Sequence, residues 1–194
     1  AAVRALGLDP KKRYVTFVGS FYPHAATPLI VRSAPLVLDR IKDARFLMIG
    51  EGMERPVCEE TARALDVSSE VLFLGPRPHT EIPRYIAASD LLINVRRFYE
   101  GGSMKMLEYM SCGGTVISNF RKLYGEPLSH GDDYYYLDDP TPAGLAGAII
   151  ALLSDEPARS KIGRGARKLI LDRFSWERTA EKLLSVIDAV RKKG

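Results

Sequence analysis

Cysteine, tryptophan and histidine are nearly missing from these 194 residues, with two, one and three copies respectively. Two cysteines, Cys58 and Cys112, are too few for a disulfide framework and have no zinc-ligand spacing. That excludes a disulfide-stapled secreted module and a zinc finger. Both are read as reduced fillers in a cytosolic protein. Long apolar runs are lacking as well, and nothing approaches the about 20 residues that a spanning helix needs. No basic leader followed by an apolar segment opens the chain. It begins with alanine rather than methionine, which fits a piece of a longer protein. No internal repeat and no low-complexity tract interrupts it. The net charge of +4 is modest and predicts no nucleic-acid partner. It is also uneven: residues 156–194 hold 11 Lys/Arg against 5 Asp/Glu. That basic end is first the solvated face of helices, and second a weak contact with an acidic membrane surface.

What is present is an alternation. Tyr14–Val18, Ala44–Ile49, Val71–Leu74, Leu91–Val95, Thr115–Ser118 and Tyr134–Leu137 are short apolar runs with strand character. Helical stretches separate the first five, in units of roughly 25 to 30 residues. Thr27-Pro28 predicts a helix start, with a kink at Pro35 before Ile41. Gly50-Glu51-Gly52 turns into a helix ending near Leu65. Thr80 is expected to cap the next, to about Ala88. After Leu137 only helices follow: one from Thr141, one from Glu156-Pro157 and one capped by Ser175. Trp176 is expected to be a buried packing residue. The pattern predicts an α/β fold, a Rossmann-like doubly wound parallel sheet of about six strands followed by C-terminal helices. One domain is expected over 1–194, with 1–13 as lead-in and 141–194 as the C-terminal helices. Ligands of such sheets bind beyond the carboxyl ends of the strands. A dinucleotide-dependent oxidoreductase is excluded, because Gly19-Ser20-Phe21-Tyr22-Pro23-His24 is no G-x-G-x-x-G loop.

The stretch Tyr99–Ser118 reads as loop, helix, turn and strand. Gly101-Gly102 permits close backbone approach, and Ser103 stands where an N-cap belongs. Met104, Leu107 and Met110 are expected to form the apolar face, and Gly113-Gly114 stops the helix. A glycine loop opening a helix is a seat for an anion, phosphate first. Glu100 and Glu108 suit hydroxyl groups instead. Together they predict a ligand with a phosphate and sugar hydroxyls.

In this order, on these elements, the chain resembles the C-terminal, donor-binding domain of the retaining GT-B glycosyltransferases of family 4, the glycosyl transferases group 1. The most specific match runs from Glu100 to Glu108 with seven residues between, and on through Tyr109-Met110-Ser111-Cys112-Gly113-Gly114-Thr115-Val116-Ile117-Ser118. Leu6-Gly7-Leu8 with Tyr14–Gly19, Phe46–Gly52, Val71–Gly75 and Phe174-Ser175-Trp176-Glu177 are similar to the family's remaining landmarks. The resemblance implies a hexosyltransferase acting on a nucleotide diphosphate sugar with retention, using no cofactor and no metal. It implies Glu100 as the catalytic residue, on the hydroxyls of the donor sugar. Gly101, Gly102, Ser103 and Met104 would offer backbone N–H groups to the distal phosphate, and Glu108 would hold the ribose. Arg77 and Pro78 would flank the base, and Gly19, Ser20, Gly50 and Leu107 would complete the donor site. It also implies a missing N-terminal acceptor domain, so the chain alone is expected to be inactive. The parent enzyme would be cytoplasmic, with peripheral contact at a membrane as the second option.

The chain departs from that family in three places. Where the family usually shows Gly-Arg after the first strand, this chain has Gly19-Ser20. Where a Lys-Gly follows, it has Ala25-Ala26. Gly101-Gly102-Ser103 replaces Gly-Phe-Gly. Two charge-assisted phosphate contacts are thereby lost. Lys105, Arg121, Lys122 and His24 are the candidates to replace them. The other reading is a degenerate domain of the same fold, serving as a structural or partner-binding module. His24, His79 and His130 are expected to be surface loop residues without partners, and Arg96-Arg97 a solvated or phosphate-facing pair.

Overall fold

Each strand alternates its side chains between two apolar layers, and the fold follows from that. The computed structural model describes residues 2–97 and 102–191. In chain order it runs α1 (Ala2–Ala5), β1 (Arg13–Val18), α2 (Thr27–Arg40), β2 (Ala44–Ile49), α3 (Arg55–Ala64), β3 (Val71–Gly75), α4 (Ile82–Ala87), β4 (Leu91–Asn94), α5 (Met104–Ser111) and β5 (Val116–Ser118). Then come β6 (Lys122–Leu123), β7 (Glu126–Pro127), β8 (Tyr135–Tyr136), α6 (Pro142–Ser154), α7 (Glu156–Arg173) and α8 (Trp176–Arg191). Among the described residues, six strands form one parallel sheet in the order β3-β2-β1-β4-β5-β8. The expected doubly wound sheet is therefore present.

Successive side chains of a strand point to opposite faces. Val15, Phe17, Phe46, Met48, Leu91, Ile93 and Ile117 enter one core, against α2, α3 and α6. Tyr14, Leu47, Ile49, Leu92 and Val116 enter the other, against α4, α5 and α7. Coverage on both sides is what makes these strands nearly all apolar. Arg13 ties the start of β1 to the turn before β2 through a two-pronged pair with Asp43, Nε to Oδ2 at 2.9 Å and Nη2 to Oδ1 at 2.5 Å.

Several local expectations need correction. The helix starting at Thr27 has Ala26 as its N-cap, in the left-handed region at φ 50°, with no side-chain cap bond. The Thr27 hydroxyl donates instead to Glu54 Oε2 at 3.1 Å. Thr80 lies inside a 3₁₀ turn, His79–Glu81, and caps nothing. Trp176 is not buried but 86% exposed, because it opens α8, a helix that buries none of its residues. A small antiparallel pair, β6 with β7, was not foreseen. Its two-residue turn, Tyr124-Gly125, has φ of 49° and 88°, the mirror-image turn that short hairpins favour. The caps expected at Ser103 and Ser175 are present, accepting from Met106 and Arg178 N–H, and Thr141, expected only to start a helix, caps α6 by accepting from Gly144 N–H.

α7 packs backbone to backbone against the turns that lead into β5 and β8. A Cβ on Gly163 would stand 2.3 Å from the Gly113 carbonyl oxygen, and one on Gly165 would stand 1.9 Å from that of Asp132. Gly147 in α6 is exposed, with nothing within 4 Å of such a Cβ. Gly165→Ala is therefore expected to destabilise the fold by about 1–3 kcal/mol through overpacking. Gly147→Ala should stabilise it by about 1 kcal/mol through helix propensity. Urea unfolding of the two variants checks the opposite signs.

Candidate functional site

β1 and β4 are neighbours at the point where the winding reverses. From β1 the chain crosses through α2 on one face, and from β4 it crosses through α5 on the other. Such a reversal opens a crevice at the carboxyl ends of the strands. Here the β1–β4 register extends only through Val15↔Leu91 and Thr16↔Leu92. Beyond it, the Val18 amide and carbonyl that point toward β4 have no strand to pair with. Tyr109 supplies both partners. The Val18 N–H donates to its hydroxyl at 2.7 Å, and the hydroxyl donates to the Val18 carbonyl at 3.2 Å. Tyr109 is fully buried, and burial pushes its phenol well above the ordinary range, so the hydroxyl stays neutral and keeps both bonds.

The start of α5 is fastened at the same place. Ser103 Oγ donates to Asn94 Oδ1 at 3.2 Å and accepts from the Met106 N–H at 3.3 Å. Ser118 Oγ donates to the Asn94 carbonyl at 2.9 Å and accepts from the Phe120 N–H at 3.2 Å. Asn94, Ser103 and Ser118 are all buried, so this network is the only way their polar atoms avoid an unpaid desolvation. Asn94 was overlooked in the sequence. The one available signal was an amide ending an otherwise apolar strand. The apolar face of α5 is Met106, Tyr109 and Met110, not the expected Met104, Leu107 and Met110. Met104 is 64% exposed, and Leu107 is half-buried against the second core. The first-turn N–H groups of α5, with the positive end of its dipole, face the loop that precedes it.

Gly102 is hemmed in by the β6–β7 turn: a Cβ there would fall 1.9 Å from Tyr124 Cε1. The Tyr124 ring thus fills the space a side chain at 102 would need. Glu100 and Gly101 lie outside the described residues.

Lys105, from the first turn of α5, lies across the end of β1. Its Nζ is 4.0 Å from the centre of the Phe17 ring and 3.4 Å from where a Gly19 Cβ would stand. No carboxylate pairs with it among the described residues. Burial, and secondarily the positive charge of Arg96, pull its ammonium down to about 7. Of the other candidate cations, Arg121 lies over the Tyr136 ring at 4.5 Å, and His24 stacks with Tyr22 at 6.2 Å. Lys122 is exposed on β6. Of these candidates, Lys105 is the one that stands at Gly19 among the described residues.

Glu108 is one turn further along α5. Its Oε1 is 2.8 Å from His79 Nε2. His79 therefore has a partner, contrary to expectation, and brings the β3–α4 loop with Arg77 and Pro78 to the side of α5. Both of those residues are exposed, as is Ser20. Gly50 has a packing reason of its own: a Cβ there would stand 2.0 Å from the Gly19 carbonyl oxygen. These contacts thus join Gly50 to Gly19 and Gly19 to Lys105, Ser103 to Asn94 at the end of β4, and Glu108 to the Arg77–His79 loop through His79. Arg96 leaves β4 with its backbone fixed by Asn119, which accepts from its N–H at 3.1 Å and donates to its carbonyl at 2.7 Å.

The family model of glycosyl transferases group 1 matches residues 2–169. The chain belongs to that family. A D-inositol 3-phosphate glycosyltransferase from Rhodococcus opacus (strain B4) is 31% identical over 191 residues, which are 95% of this chain and 42% of that protein. Its counterpart from Rhodococcus jostii (strain RHA1) is 32% identical over 192 residues, again 42% of its length. The chain thus spans under half the length of the curated relatives it matches. Among solved structures, the C-terminal domain of a glycosyl transferase group 1 protein, LpcC from Francisella tularensis, superposes with a TM-score of 0.77. It has 20% identity and covers 90% of this chain and 92% of that domain. Anabaena Alr3699/HepE in complex with UDP superposes with a TM-score of 0.83 at 18% identity, over 96% of this chain and 51% of that one. The fold is that of the C-terminal half of a GT-B glycosyltransferase, as the resemblance implied.

A lysine held at about 7 in the folded state and near its usual 10.5 when unfolded works against folding. The unfolded chain binds more protons between those values, so stability rises with pH across that window. The contact with Phe17 offsets only part of this. Lys105→Met is expected to raise Tm at pH 7 and below, with the gap to the parent chain closing toward pH 10. Melting curves across that range check it.

Proposed function

We propose that this chain is the donor-binding half of a retaining glycosyltransferase. It would take a nucleotide diphosphate sugar and present it to an acceptor held by a second, N-terminal domain of the parent protein. One observation supports this reading best: the start of α5 faces the crevice where β1 and β4 part, with Glu108 one turn behind it. About one helical pitch, 5.4 Å, separates an anion seat from a hydroxyl acceptor. A ribose joined to a diphosphate spans that length.

In this reading the N–H groups of Gly101, Gly102, Ser103 and Met104 receive the distal phosphate. The Glu108 carboxylate exchanges His79 for the ribose hydroxyls. Arg77 and Pro78 border the base, while Gly19, Ser20 and Gly50 border the diphosphate and Leu107 lies under the ribose. Glu100 holds the hydroxyls of the departing glycosyl group. Fixed N–H dipoles at the helix start stabilise charge that grows on the leaving diphosphate. The relatives named above suggest a hexosyl donor, and UDP is the first nucleotide to test.

α8 exposes Leu183, Leu184, Val186 and Val190 and buries nothing, which suits a surface completed by the second domain. No helix among the described residues is long and apolar enough to cross a membrane. Attachment of a cytoplasmic parent enzyme to an acidic membrane surface would rest on the basic end of the chain. The absence of both β1-loop cations favours one rival reading, a degenerate module that no longer binds a donor.

Calorimetric titration with UDP, GDP and ADP and with their sugars separates the two. Binding of one of them is expected, weakened roughly 10-fold to 100-fold in Glu108→Ala. No binding, or binding indifferent to that substitution, would favour the degenerate module. The chain alone is expected to transfer no sugar to simple acceptors. Turnover detected by product chromatography would overturn the need for a second domain.

A further inference from the structure

We propose that Lys105 is the cation that grips the donor diphosphate in this domain, reaching the phosphates from the α5 side of the crevice rather than from the β1 loop. The inference rests on the donor-binding reading above and names the residue that carries it. Three observations on one side chain point there. Its ammonium lies at Gly19, the residue that ends β1 at the crevice. Its charged Nζ stands on the face of the Phe17 ring, 4.0 Å from its centre, so a cation–π contact holds the ammonium itself beside the end of β1. No acidic group pairs with it among the described residues, although a half-buried ammonium without a counter-charge is unfavourable. A dianionic phosphate at the mouth of β1 removes that penalty, and the α5 dipole acts in the same direction. At the two cation positions the β1 loop has Ser20 and Ala25-Ala26, and its one titratable base, His24, stacks with Tyr22.

This arrangement ties donor binding to a proton. The charged group acting on Lys105 from β4 is Arg96. From β1 it meets Phe17 and Gly19, which carry no charge. On its own helix, Glu108 is bonded to His79 and Tyr109 to Val18. With its ammonium pulled down to about 7, Lys105 is largely neutral above that value in the empty domain. An adjacent diphosphate favours the charged form and draws the proton in. Donor affinity should therefore fall as pH rises from about 7 to about 9.

The test compares the parent chain with Lys105→Met and Lys105→Arg by calorimetry, using UDP, GDP and ADP, with the matching phosphate-free nucleosides as controls. Lys105→Met is expected to lose roughly 10-fold to 100-fold in affinity for the nucleoside diphosphate that binds, with nucleoside affinity unchanged and Lys105→Arg retaining most of the binding. At about pH 8, titrations in buffers of different ionisation enthalpy should show proton uptake by the parent chain and none by Lys105→Met. Diphosphate affinity unchanged in Lys105→Met overturns the inference and leaves the donor-binding reading standing. So does a parent chain that binds nucleoside and diphosphate equally well. A parent chain that binds none of the three overturns both. Should Lys105→Met fail to fold, the parent chain alone decides, because diphosphate binding without proton uptake overturns the inference.

Discussion

The bond pair between the Tyr109 hydroxyl and the Val18 backbone decides where this molecule can have a site. A doubly wound sheet must let two adjacent strands part at its reversal point, and parting strands strand their backbone groups. One phenol on α5 answers both groups of Val18 at 2.7 and 3.2 Å. It thereby holds the crevice open without leaving it unsatisfied, and fixes α5 against β1. The helix start, Lys105 and Glu108 are all placed by that one side chain, because all ride on the same two turns of helix.

A second fastening works from the other strand. Asn94, Ser103 and Ser118 close a buried polar network among the end of β4, the cap of α5 and the end of β5. Buried networks of this kind are favourable only when every member is paired. Here the cap hydroxyl serves twice, as donor to Asn94 and as acceptor for Met106. The rigid end of the helix therefore presents its dipole at a fixed angle to the crevice. Positive character collects there from the backbone, from Lys105 and from Arg96, while Glu108 faces away toward His79.

Much of this was legible in the chain. The strands announce themselves because burial on both faces forces apolar runs such as Phe46–Ile49. The caps at Ser103 and Ser175 were legible, whereas Thr80 reads as a cap and lies inside a 3₁₀ turn instead. What was not legible depends on partners far apart in sequence. Tyr109 reads as one more apolar residue of a helix, and its hydroxyl matters only because Val18, 91 positions earlier, lacks a strand. Asn94 reads as the polar end of a strand. His79 reads as a loop residue until the fold carries it to Glu108, 29 positions on. Trp176 misled for the opposite reason. Large aromatics are usually covered, but α8 has nothing in this chain to cover it. Two of the three residues assigned to the buried face of α5 were wrong because methionines and leucines fill several of its sides.

Tyr124 holds a left-handed backbone conformation that disfavours any residue but glycine or asparagine, and its ring sits where a side chain at position 102 would go. The family pattern that the chain resembles has phenylalanine at that loop position. The ring space has two possible addresses, the loop itself or the hairpin that leans over it. The two are mutually exclusive tenants. Position 102 is therefore held to glycine for as long as the hairpin supplies the ring, and any side chain there would first have to displace Tyr124.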